Sequence, residues 1–400
     1  MLLNRSHFPF FFVHPDLIYA DNGATTQRLD KAIDAEINFY QQMNAPVHRG
    51  VYAIAEKATD LLEQARADVA SFINASSPQE IVFTRGSTEG VNTVAYAWAR
   101  HNLKAGDRIV VSQLEHHANC VPWIECARQL GLELVWIPID AKGHLILDDL
   151  DTLIAPHTKL VALTLSSNVI GNKVPYDKVF ARAKAVGAAT LADAAQAIAH
   201  TKIDVQKIDC DFLVFSAHKM YGPTGIGGLY INKRRHEELV PFQVGGGMIE
   251  LVTSTTVTYQ KMPSLLEAGT PAIAQIISLG ATVRTLMNEV DYAALAVQEH
   301  ALAKRMIEGL ARFPLVKIVG DADDIAQHGH LVSFHVEGIH AHDVAAYCGS
   351  KDICMRAGRH CAQPLHDALG IDATVRASFA LYNTPEEIEK ILTVLAELLS

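Results

Sequence analysis

Residues 211–225 read Asp211-Phe-Leu-Val-Phe-Ser-Ala-His-Lys-Met-Tyr-Gly-Pro-Thr-Gly225. The apolar run that begins at Phe212 predicts a buried strand, and the Gly-Pro-Thr-Gly sequence after it predicts a tight turn. Lys219 therefore follows a core strand, which is an unusual position for a lysine because most lysines are solvated. Lysines near turns are common enough that this residue alone does not define a site.

Similar apolar runs recur along the chain and alternate with Ala-rich segments of helical period, which is the pattern of an α/β fold. The predicted helices include residues 29–41, 57–72 and 176–186. Seven strands are predicted, at residues 80–84, 108–112, 132–137, 160–164, 188–192, 212–215 and 228–231.

The pattern changes after about residue 265. A long helical stretch rich in Ala and Leu is followed there by predicted strands at 331–335 and 375–379 and by a closing helix from Pro385. We therefore predict a large domain over residues 18–265 and a smaller α+β domain over residues 266–400 together with 1–17. No long linker separates the two parts, so we expect them to pack tightly.

The composition excludes several classes of protein. The 400 residues include 34 Lys and Arg against 44 Asp and Glu, and the net charge of −10 argues against a nucleic-acid partner. No apolar stretch approaches the roughly 20 residues of a membrane span, so no membrane partner is expected. The six cysteines are scattered without a CxxC pair, which indicates a reducing compartment and hence a cytoplasmic protein.

Residues with useful chemistry follow the predicted strands, at the sheet edge where open α/β sheets bind their ligands. Ser87 and Thr88 follow a strand and a glycine and precede a helix, whose free N–H groups suit a phosphate. A helix-capping role for these two hydroxyls explains them equally well. Asp193 ends another strand that is expected to be buried, where a carboxylate needs a partner.

Together, these positions favour pyridoxal phosphate as the cofactor. That cofactor needs a lysine for its Schiff base, an acidic partner for its pyridinium nitrogen, and a phosphate site. Lys219, Asp193 and the turn around Ser87 supply the three features at neighbouring strand ends. Each residue singly has an ordinary structural explanation, but their combination in this order makes a shared site the better interpretation.

The adjacent residues His116 and His117 follow the strand that ends at Ser112. An imidazole at this place could lie flat on a pyridine ring. Two neighbouring histidines project in different directions, and no carboxylate or cysteine nearby completes a zinc spacing. We therefore predict no metal site.

Six motifs resemble those of group II cysteine desulfurases of the SufS or CsdA kind, which belong to class V of the fold-type I pyridoxal phosphate enzymes. The resemblance runs from about Tyr19 to the C-terminus. The motifs are Ala45-Pro-Val-His-Arg49, Glu115-His-His-Ala-Asn119, Asp193-Ala-Ala-Gln196, Ser216-Ala-His-Lys-Met-Tyr-Gly-Pro-Thr-Gly225, Glu267-Ala-Gly-Thr270 and Arg356-Ala-Gly-Arg-His-Cys-Ala362. The fold implied is α/β, with a mostly parallel seven-stranded sheet in a large cofactor-binding domain and the catalytic cysteine loop in the smaller domain.

The resemblance also implies roles for individual residues. Lys219 would carry the cofactor, Asp193 would pair with its ring nitrogen, and His116 would stack on its ring. The other residues implied to bind the cofactor are Gln196 at the phenolic oxygen, Ser87, Thr88, Ser216 and His218 at the phosphate, and Thr270 from a second subunit that also brings Gly245-Gly-Gly247 close. The residues implied to bind the substrate are Arg376, through a bidentate pair with its carboxylate, Asn168, His48 and Arg49.

Cys361 separates this interpretation from that of a generic pyridoxal enzyme. It lies beside Arg359 and His360, and we expect nearby cations to favour its thiolate, which is the nucleophile that the reaction needs. Many free cysteines are packed core thiols, but the motif around this one favours a reactive role. Cys354, in contrast, has the sequence environment of a strand core.

The activity implied is conversion of L-cysteine to L-alanine, in which Lys219 moves the α-proton and Cys361 takes the sulfur as a persulfide. A second thiol must then clear the persulfide, so a sulfur-acceptor protein of the SufE/CsdE type is expected, for iron-sulfur cluster assembly or other sulfur biosynthesis. A homodimer with shared active sites is also implied. Residues 21–26, Asp21-Asn-Gly-Ala-Thr-Thr26, depart from the family's Ser/Ala-rich pattern at the substrate entrance, and selenocysteine and cysteine sulfinate stay open as substrates.

Two alternatives remain. A class V aminotransferase would use the same cofactor residues but needs no cysteine, so the Arg-His-Cys-Ala motif opposes it. A non-catalytic sulfur carrier or assembly scaffold would keep the fold for binding alone. The complete set of Lys219, Asp193, His116 and Arg376 opposes that second alternative.

Overall fold

A computed structural model describes residues 3–399, which form four β-sheets with helices packed around them. The strands are β1 (Ile18–Tyr19), β2 (Ile81–Thr84), β3 (Arg108–Ser112), β4 (Glu133–Ile137), β5 (Thr158–Thr164), β6 (Ala189–Asp193), β7 (Phe212–Ser216), β8 (Gly227–Ile231), β9 (Ile249–Val252), β10 (Val257–Tyr259), β11 (Val316–Val319), β12 (Leu331–Val336), β13 (Ile353–Cys354), β14 (Arg356–Gly358) and β15 (Thr374–Ser378). The α-helices are α1 (Phe10–Val13), α2 (Asp30–Asn38), α3 (Ala53–Phe72), α4 (Ser87–Thr93), α5 (Arg100–Asn102), α6 (Val121–Leu130), α7 (Leu150–Leu153), α8 (Tyr176–Ala185), α9 (Ala197–His200), α10 (Val205–Ile208), α11 (Ile273–Glu289), α12 (Tyr292–Leu310), α13 (Ala322–His328), α14 (Ala341–Gly349), α15 (Gln363–Leu369) and α16 (Pro385–Leu399).

The largest sheet has seven strands in the order β2-β8-β7-β6-β5-β3-β4. The five strands from β7 to β4 run parallel, and β8 runs antiparallel to both of its neighbours. The mostly parallel seven-stranded sheet predicted from the sequence is therefore confirmed.

The two faces of this sheet belong to two separate apolar clusters. In β7, Leu213 and Phe215 pack on one face while Phe212 and Val214 pack on the other, and all four are fully buried. Side chains alternate between the faces of a strand, so a strand covered by helices on both sides must be apolar at every position. That requirement explains the continuous apolar runs in the sequence.

The second sheet is antiparallel, in the order β11-β12-β15-β14, and it packs with helices α12, α14 and α16 around a third apolar cluster. Strand β1 pairs in parallel with β13, which ties the start of the chain to this part of the molecule. Helix α11 follows residue 265 but packs against α2 and α3 of the first part. The division into domains at 265/266 stays a prediction.

The predicted strands lie within about two residues of the observed ones, and the bounds of β3 match. Helix α2 is shorter than predicted because the chain continues from Phe39 to Met43 as a π-helical turn. The long helical stretch after residue 265 is two helices, α11 and α12, separated at Val290. Within residues 3–399, no helix combines the length and apolar character needed to cross a membrane.

Candidate active site

A cavity lies where the ends of β2, β6 and β7 face strands β14 and β15. Ten of the predicted site residues line it, which are Ser87, Thr88, His116, Asn168, Asp193, Ser216, His218, Lys219, Cys361 and Arg376. They come from both parts of the chain, and the topology of the two sheets brings them together. The lining also includes Arg356, for which no role was predicted, and His360, which was expected there only as a cation near Cys361.

Lys219 and Asp193 lie at the buried inner end of the cavity, where their opposite charges attract each other. Asp193 is the last residue of β6 and accepts a hydrogen bond from the Ala195 N–H at 2.9 Å. Lys219 follows β7 in a 3-10 turn, and burial lowers its pKa to about 8 although the Asp193 charge opposes the shift. Burial raises the pKa of Asp193, and the Lys219 charge lowers it. The cavity therefore holds an amine that can exchange protons near neutral pH.

The hydroxyl of Ser87, at the start of α4, is in close contact with the hydroxyl of Ser216, at the end of β7. Ser216 Oγ lies 2.9 Å from both the backbone N and the Oγ of Ser87. Gly86 precedes the helix with φ of +138°, and a Cβ at this position would lie 3.0 Å from Ser216 Oγ. Hydroxyls and free N–H groups at a helix N-terminus are suitable donors to a phosphate.

His218 is fixed through its backbone. Its carbonyl oxygen accepts hydrogen bonds from the Thr26 N–H at 2.9 Å and from Thr25 Oγ1 at 3.0 Å. Burial, with a smaller contribution from Lys219, lowers the pKa of the His218 imidazole to about 4. The ring is therefore neutral at physiological pH.

His116 is held as a single neutral tautomer. Its Nδ1 accepts a hydrogen bond from the Ala118 N–H at 3.0 Å, so the ring proton is on Nε2. Burial lowers the pKa of His116 to about 3, and the positive charge of Lys219 contributes in the same direction. The ring lines the cavity and can lie against a flat ligand without adding charge.

Glu115 stabilises the loop that carries His116, a role that was not predicted from the sequence. Its carboxyl group is fully buried and accepts hydrogen bonds from Ser112 Oγ at 2.5 Å, Asn119 Nδ2 at 2.7 Å and the Thr164 N–H at 3.1 Å. Burial raises the pKa of Glu115 to about 8. These bonds fasten the His116 loop to β3 and β5. The motif contained Glu115, but the sequence shows no sign of which way its side chain points.

Arg376 on β15 forms the opposite end of the cavity, and its guanidinium is held on several sides. Nη1 donates to the Asn168 carbonyl oxygen at 2.7 Å, and Nη2 donates to Asp21 Oδ1 at 3.0 Å. Gly23 packs on the guanidinium, because a Cβ there would lie 2.9 Å from Cζ. Among the described residues, buried Arg376 Nε and Asn168 Oδ1 have no hydrogen-bond partner. Polar atoms of this kind indicate a ligand site.

Cys361 is exposed at the rim of the cavity, in a loop of unusual backbone conformation. His360 and Cys361 have φ of 49° and 55°, in the left-handed region that non-glycine residues rarely adopt. The Cys361 carbonyl oxygen accepts the His117 N–H at 2.8 Å, and His117 Nε2 accepts the Gln363 N–H at 3.1 Å. His117 thus joins the thiol loop to the loop of His116.

The expected source of positive charge near the thiol needs correction. Arg359 bonds to Asp372 through Nη2 and Oδ1 at 3.0 Å, and burial lowers the pKa of His360 to about 2, so that its ring is neutral. The cations that line the cavity with Cys361 are Lys219, Arg356 and Arg376. Cys354 lies in strand β13 as predicted, but its side chain is only partly buried.

Four predicted site residues lie outside the lining of this cavity within residues 3–399. Gln196 is buried behind it and donates from Nε2 to the Gly23 carbonyl oxygen at 2.8 Å. Thr270 lines a separate cavity with Thr84, Arg85 and Glu89. His48 and Arg49 are exposed, and His48 Nε2 lies 3.0 Å from Glu63 Oε1.

Comparison with known proteins gives consistent matches over nearly the whole chain. The sequence model of the family described as aminotransferase class-V matches residues 18–391. A cysteine desulfurase of Enterobacter sp. (strain 638) is 41% identical over 378 residues, which cover 94% of this chain and 92% of that protein. The apo structure of a cysteine desulfurase from Thermococcus onnurineus NA1 has a TM-score of 0.94 at 40% identity, covering 99% of this chain and 97% of that chain. The cysteine desulfurase CsdA from Escherichia coli, in an S-sulfonic acid form, has a TM-score of 0.91 at 36% identity, covering 99% and 98%.

Proposed function

We propose that this chain, which belongs to the class-V aminotransferase family, is a pyridoxal-phosphate-dependent cysteine desulfurase. It would convert L-cysteine to L-alanine and take the sulfur on Cys361. The observation that carries the proposal is the exposed Cys361 thiol at the rim of the cavity that also holds Lys219. Neither residue alone would distinguish this activity from other pyridoxal phosphate chemistry.

The donor groups of the cavity fit pyridoxal phosphate. Ser87, Thr88, Ser216 and His218 would hold the phosphate, Asp193 would pair with the ring nitrogen and His116 would cover the ring. When bound, this cofactor supplies an electron sink that allows bonds at the substrate's α-carbon to break. Lys219 would anchor it, and Gln196 would contact its phenolic oxygen.

Arg376 and Asn168 are suited to hold the substrate carboxylate. The guanidinium has five N–H groups, of which the Asn168 carbonyl and Asp21 take one each. A planar cation fixed in this way can form a bidentate pair with a carboxylate and set the orientation of the amino acid. His48 and Arg49 would need a rearrangement or a second subunit to take part.

Lys219 would move the substrate's α-proton. Because burial brings its pKa to about 8, a useful fraction of the amine is neutral near pH 7 and can accept a proton, then return it to the product. Neutral His116 beside it presents an N–H at Nε2 without adding repulsion. Lys219 would therefore carry the proton, and His116 would cover the ring.

Cys361 would take the sulfur. Its thiolate attacks the sulfur of the substrate, the C–S bond breaks, and the carbon fragment leaves as alanine after protonation. Because Cys361 is exposed, a second thiol can reach a persulfide on it for exchange. We expect that thiol to belong to an acceptor protein of the SufE/CsdE type, in the cytoplasm.

A homodimer with shared active sites would account for Thr270. Thr270 lines a separate cavity with Thr84 and Arg85, and it is absent from the lining of the cavity that contains Ser87. A second copy could present its Thr270 to the phosphate end. Residues 245–247 are exposed and so accessible to such a contact.

The experiment is to measure alanine release from L-cysteine with a thiol reductant present. Cys361→Ser and Lys219→Ala should each lose activity, and Cys354→Ser, in which a partly buried thiol changes, should stay within about twofold of wild type. Wild-type rates in Cys361→Ser would contradict the persulfide mechanism and favour a lyase or a class V aminotransferase. If the wild-type protein released no alanine, and if Lys219→Ala bound the acceptor protein as tightly as wild type did, the protein would be a scaffold.

A further inference from the structure

Asp21 lies behind the substrate end of the cavity and links its two arginines. Its Oδ1 is 3.0 Å from Arg376 Nη2, and its Oδ2 is 3.4 Å from Arg356 Nε. Both arginines line the cavity, whereas Asp21 is outside the lining in the part of the chain that the structure describes. Asp21 therefore does not contact a bound anion, and it acts by holding the arginines and through its own negative charge.

The backbone around Asp21 is fixed to strand β15, which carries Arg376. Asp21 forms a β-bridge with Ser378. The next two residues continue the attachment, since Asn22 Nδ2 donates to the Ser378 carbonyl at 2.7 Å and the Gly23 N–H donates to Ser378 Oγ at 2.8 Å. The carboxylate thus has a defined place, and its side chain is only 18% exposed.

The net charge at the Arg376 end of the cavity matches that of one bound anion. Arg356 and Arg376 contribute two positive charges, and Asp21 takes one away. Asp193 and Lys219 balance each other at the inner end. Tyr19, near Asp21, is uncharged, and burial raises its pKa further, to about 12. Arg28 does not line the cavity and donates instead to the His218 carbonyl and to Thr25 Oγ1. One excess positive charge matches the single carboxylate of an amino acid whose side chain is neutral.

We propose that Asp21 is a positioning residue that sets the substrate specificity, by limiting the two arginines to one excess positive charge. The site then prefers an amino acid with an uncharged thiol over one with a second anion, such as a sulfinate. This inference rests on the proposed function, and it gives a role to the segment 21–26 that departs from the family pattern.

Removal of the Asp21 charge should strengthen binding of a dianion more than binding of a monoanion. A unit charge about 6 Å from a bound anion alters its affinity by one to two orders of magnitude at the effective dielectric of a protein site, before screening by salt. We therefore expect a change of at least about tenfold in the preference. Asparagine keeps the size of the side chain and an oxygen that accepts from Arg376, so Asp21→Asn changes mainly the charge.

The test is calorimetric titration of the holoenzyme with propionate, which has one carboxylate, and with succinate, which has two. Asp21→Asn should raise the ratio of succinate to propionate affinity at least about tenfold. The matched control is Asp151→Asn, which removes an exposed carboxylate that lies 3.0 Å from Arg182, and it should leave the ratio unchanged. A change below twofold in Asp21→Asn, or an equal change in the control, would overturn the inference.

Two further measurements keep the inference testable. If Asp21→Asn does not fold, Arg356→Gln removes one positive charge from a half-exposed side chain and should weaken succinate at least about tenfold more than propionate. Equal weakening of the two ligands would contradict the charge count. Carboxylate binding needs no turnover, so failure here is distinct from failure to release alanine. With active enzyme, Asp21→Asn should also raise kcat/KM for cysteine sulfinate relative to cysteine.

Discussion

Substitution of Gly23 by alanine should weaken substrate binding without unfolding the protein. A Cβ at this position would lie 2.9 Å from Arg376 Cζ and within 3.2 Å of both terminal nitrogens. Real Cβ atoms do not approach other atoms this closely, so the guanidinium must move. A free side chain would move at little cost, but Arg376 is fully buried and bonded to Asn168 and Asp21.

The size of the effect follows from the bonds that Arg376 must give up. A hydrogen bond to a charged group contributes about 1.5–3 kcal/mol, and displacement of the guanidinium would cost the substrate carboxylate at least one such bond. Each 1.4 kcal/mol is a factor of ten, so we expect KM for L-cysteine to rise about 10-fold to 100-fold. The carboxylate does not react, and its binding is lost equally in ground and transition states, so kcat should change little.

The assay is the initial rate of alanine release over a range of L-cysteine concentrations. Gly349→Ala is the matched control, because Gly349 ends helix α14 and no atom lies within 4 Å of the Cβ it would gain. Thermal denaturation of both variants should stay close to wild type. A KM for Gly23→Ala within twofold of wild type would refute the assignment of Arg376 as the carboxylate clamp.

Three other changes test neighbouring parts of the site. The raised pKa of buried Glu115, about 8 against its ordinary 4.5, means that wild type loses stability as pH rises through this range. Relative to Glu115→Gln, the free energy of unfolding of wild type should fall by about 1.4 kcal/mol per pH unit between pH 5 and 7, measured by denaturant titration. An equal pH dependence of the two proteins would show that Glu115 is ionised in the folded state. Ser216→Ala should weaken pyridoxal phosphate binding about 10-fold to 100-fold in equilibrium dialysis, since it removes the hydroxyl paired with Ser87, and unchanged affinity would exclude Ser216 from the phosphate site. His117→Phe removes the acceptor for the Gln363 N–H and should lower the rate of persulfide formation while cofactor absorbance stays constant, whereas a wild-type rate would show that the Cys361 loop needs no such support.

The sequence was most informative where one local requirement determines the structure. A strand buried on both faces must be apolar throughout, so β5, β6 and β7 were recognisable, and the polar residues that end them had to lie at the ligand edge of the sheet. The same requirement places Asp193 and Lys219 at that edge. The motif resemblance then placed Cys361 and Arg376 at the same cavity, although more than 130 residues separate both from Lys219.

Pairings between distant side chains were beyond the sequence. Arg359 precedes Cys361 by two residues, yet its guanidinium turns to Asp372, and nothing in the local pattern reveals that partner. The link between Asp21 and two arginines joins the start of the chain to its end in the same way. Helix boundaries that depend on tertiary packing, such as the π-helical turn after α2, were also missed.

The residues Thr270, His48 and Arg49 illustrate another limit. The resemblance assigns them to the site, but within one chain Thr270 faces a separate cavity and the other two are exposed. A motif records which residues a family uses and does not record which subunit supplies them. Crosslinking of the Thr270→Cys variant to residues around Ser87 of a second copy would decide which subunit supplies Thr270.

The transfer of sulfur to Cys361 is the central claim, and peptide mass spectrometry tests it most directly. The enzyme would be mixed with L-cysteine without a reductant, alkylated, digested and searched for an extra sulfur atom on each of its six cysteines. The account predicts the added sulfur on the peptide that contains Cys361, in an amount that matches the alanine released in the first turnover. Alanine release with no added sulfur on Cys361, or with the sulfur on another cysteine, would contradict it.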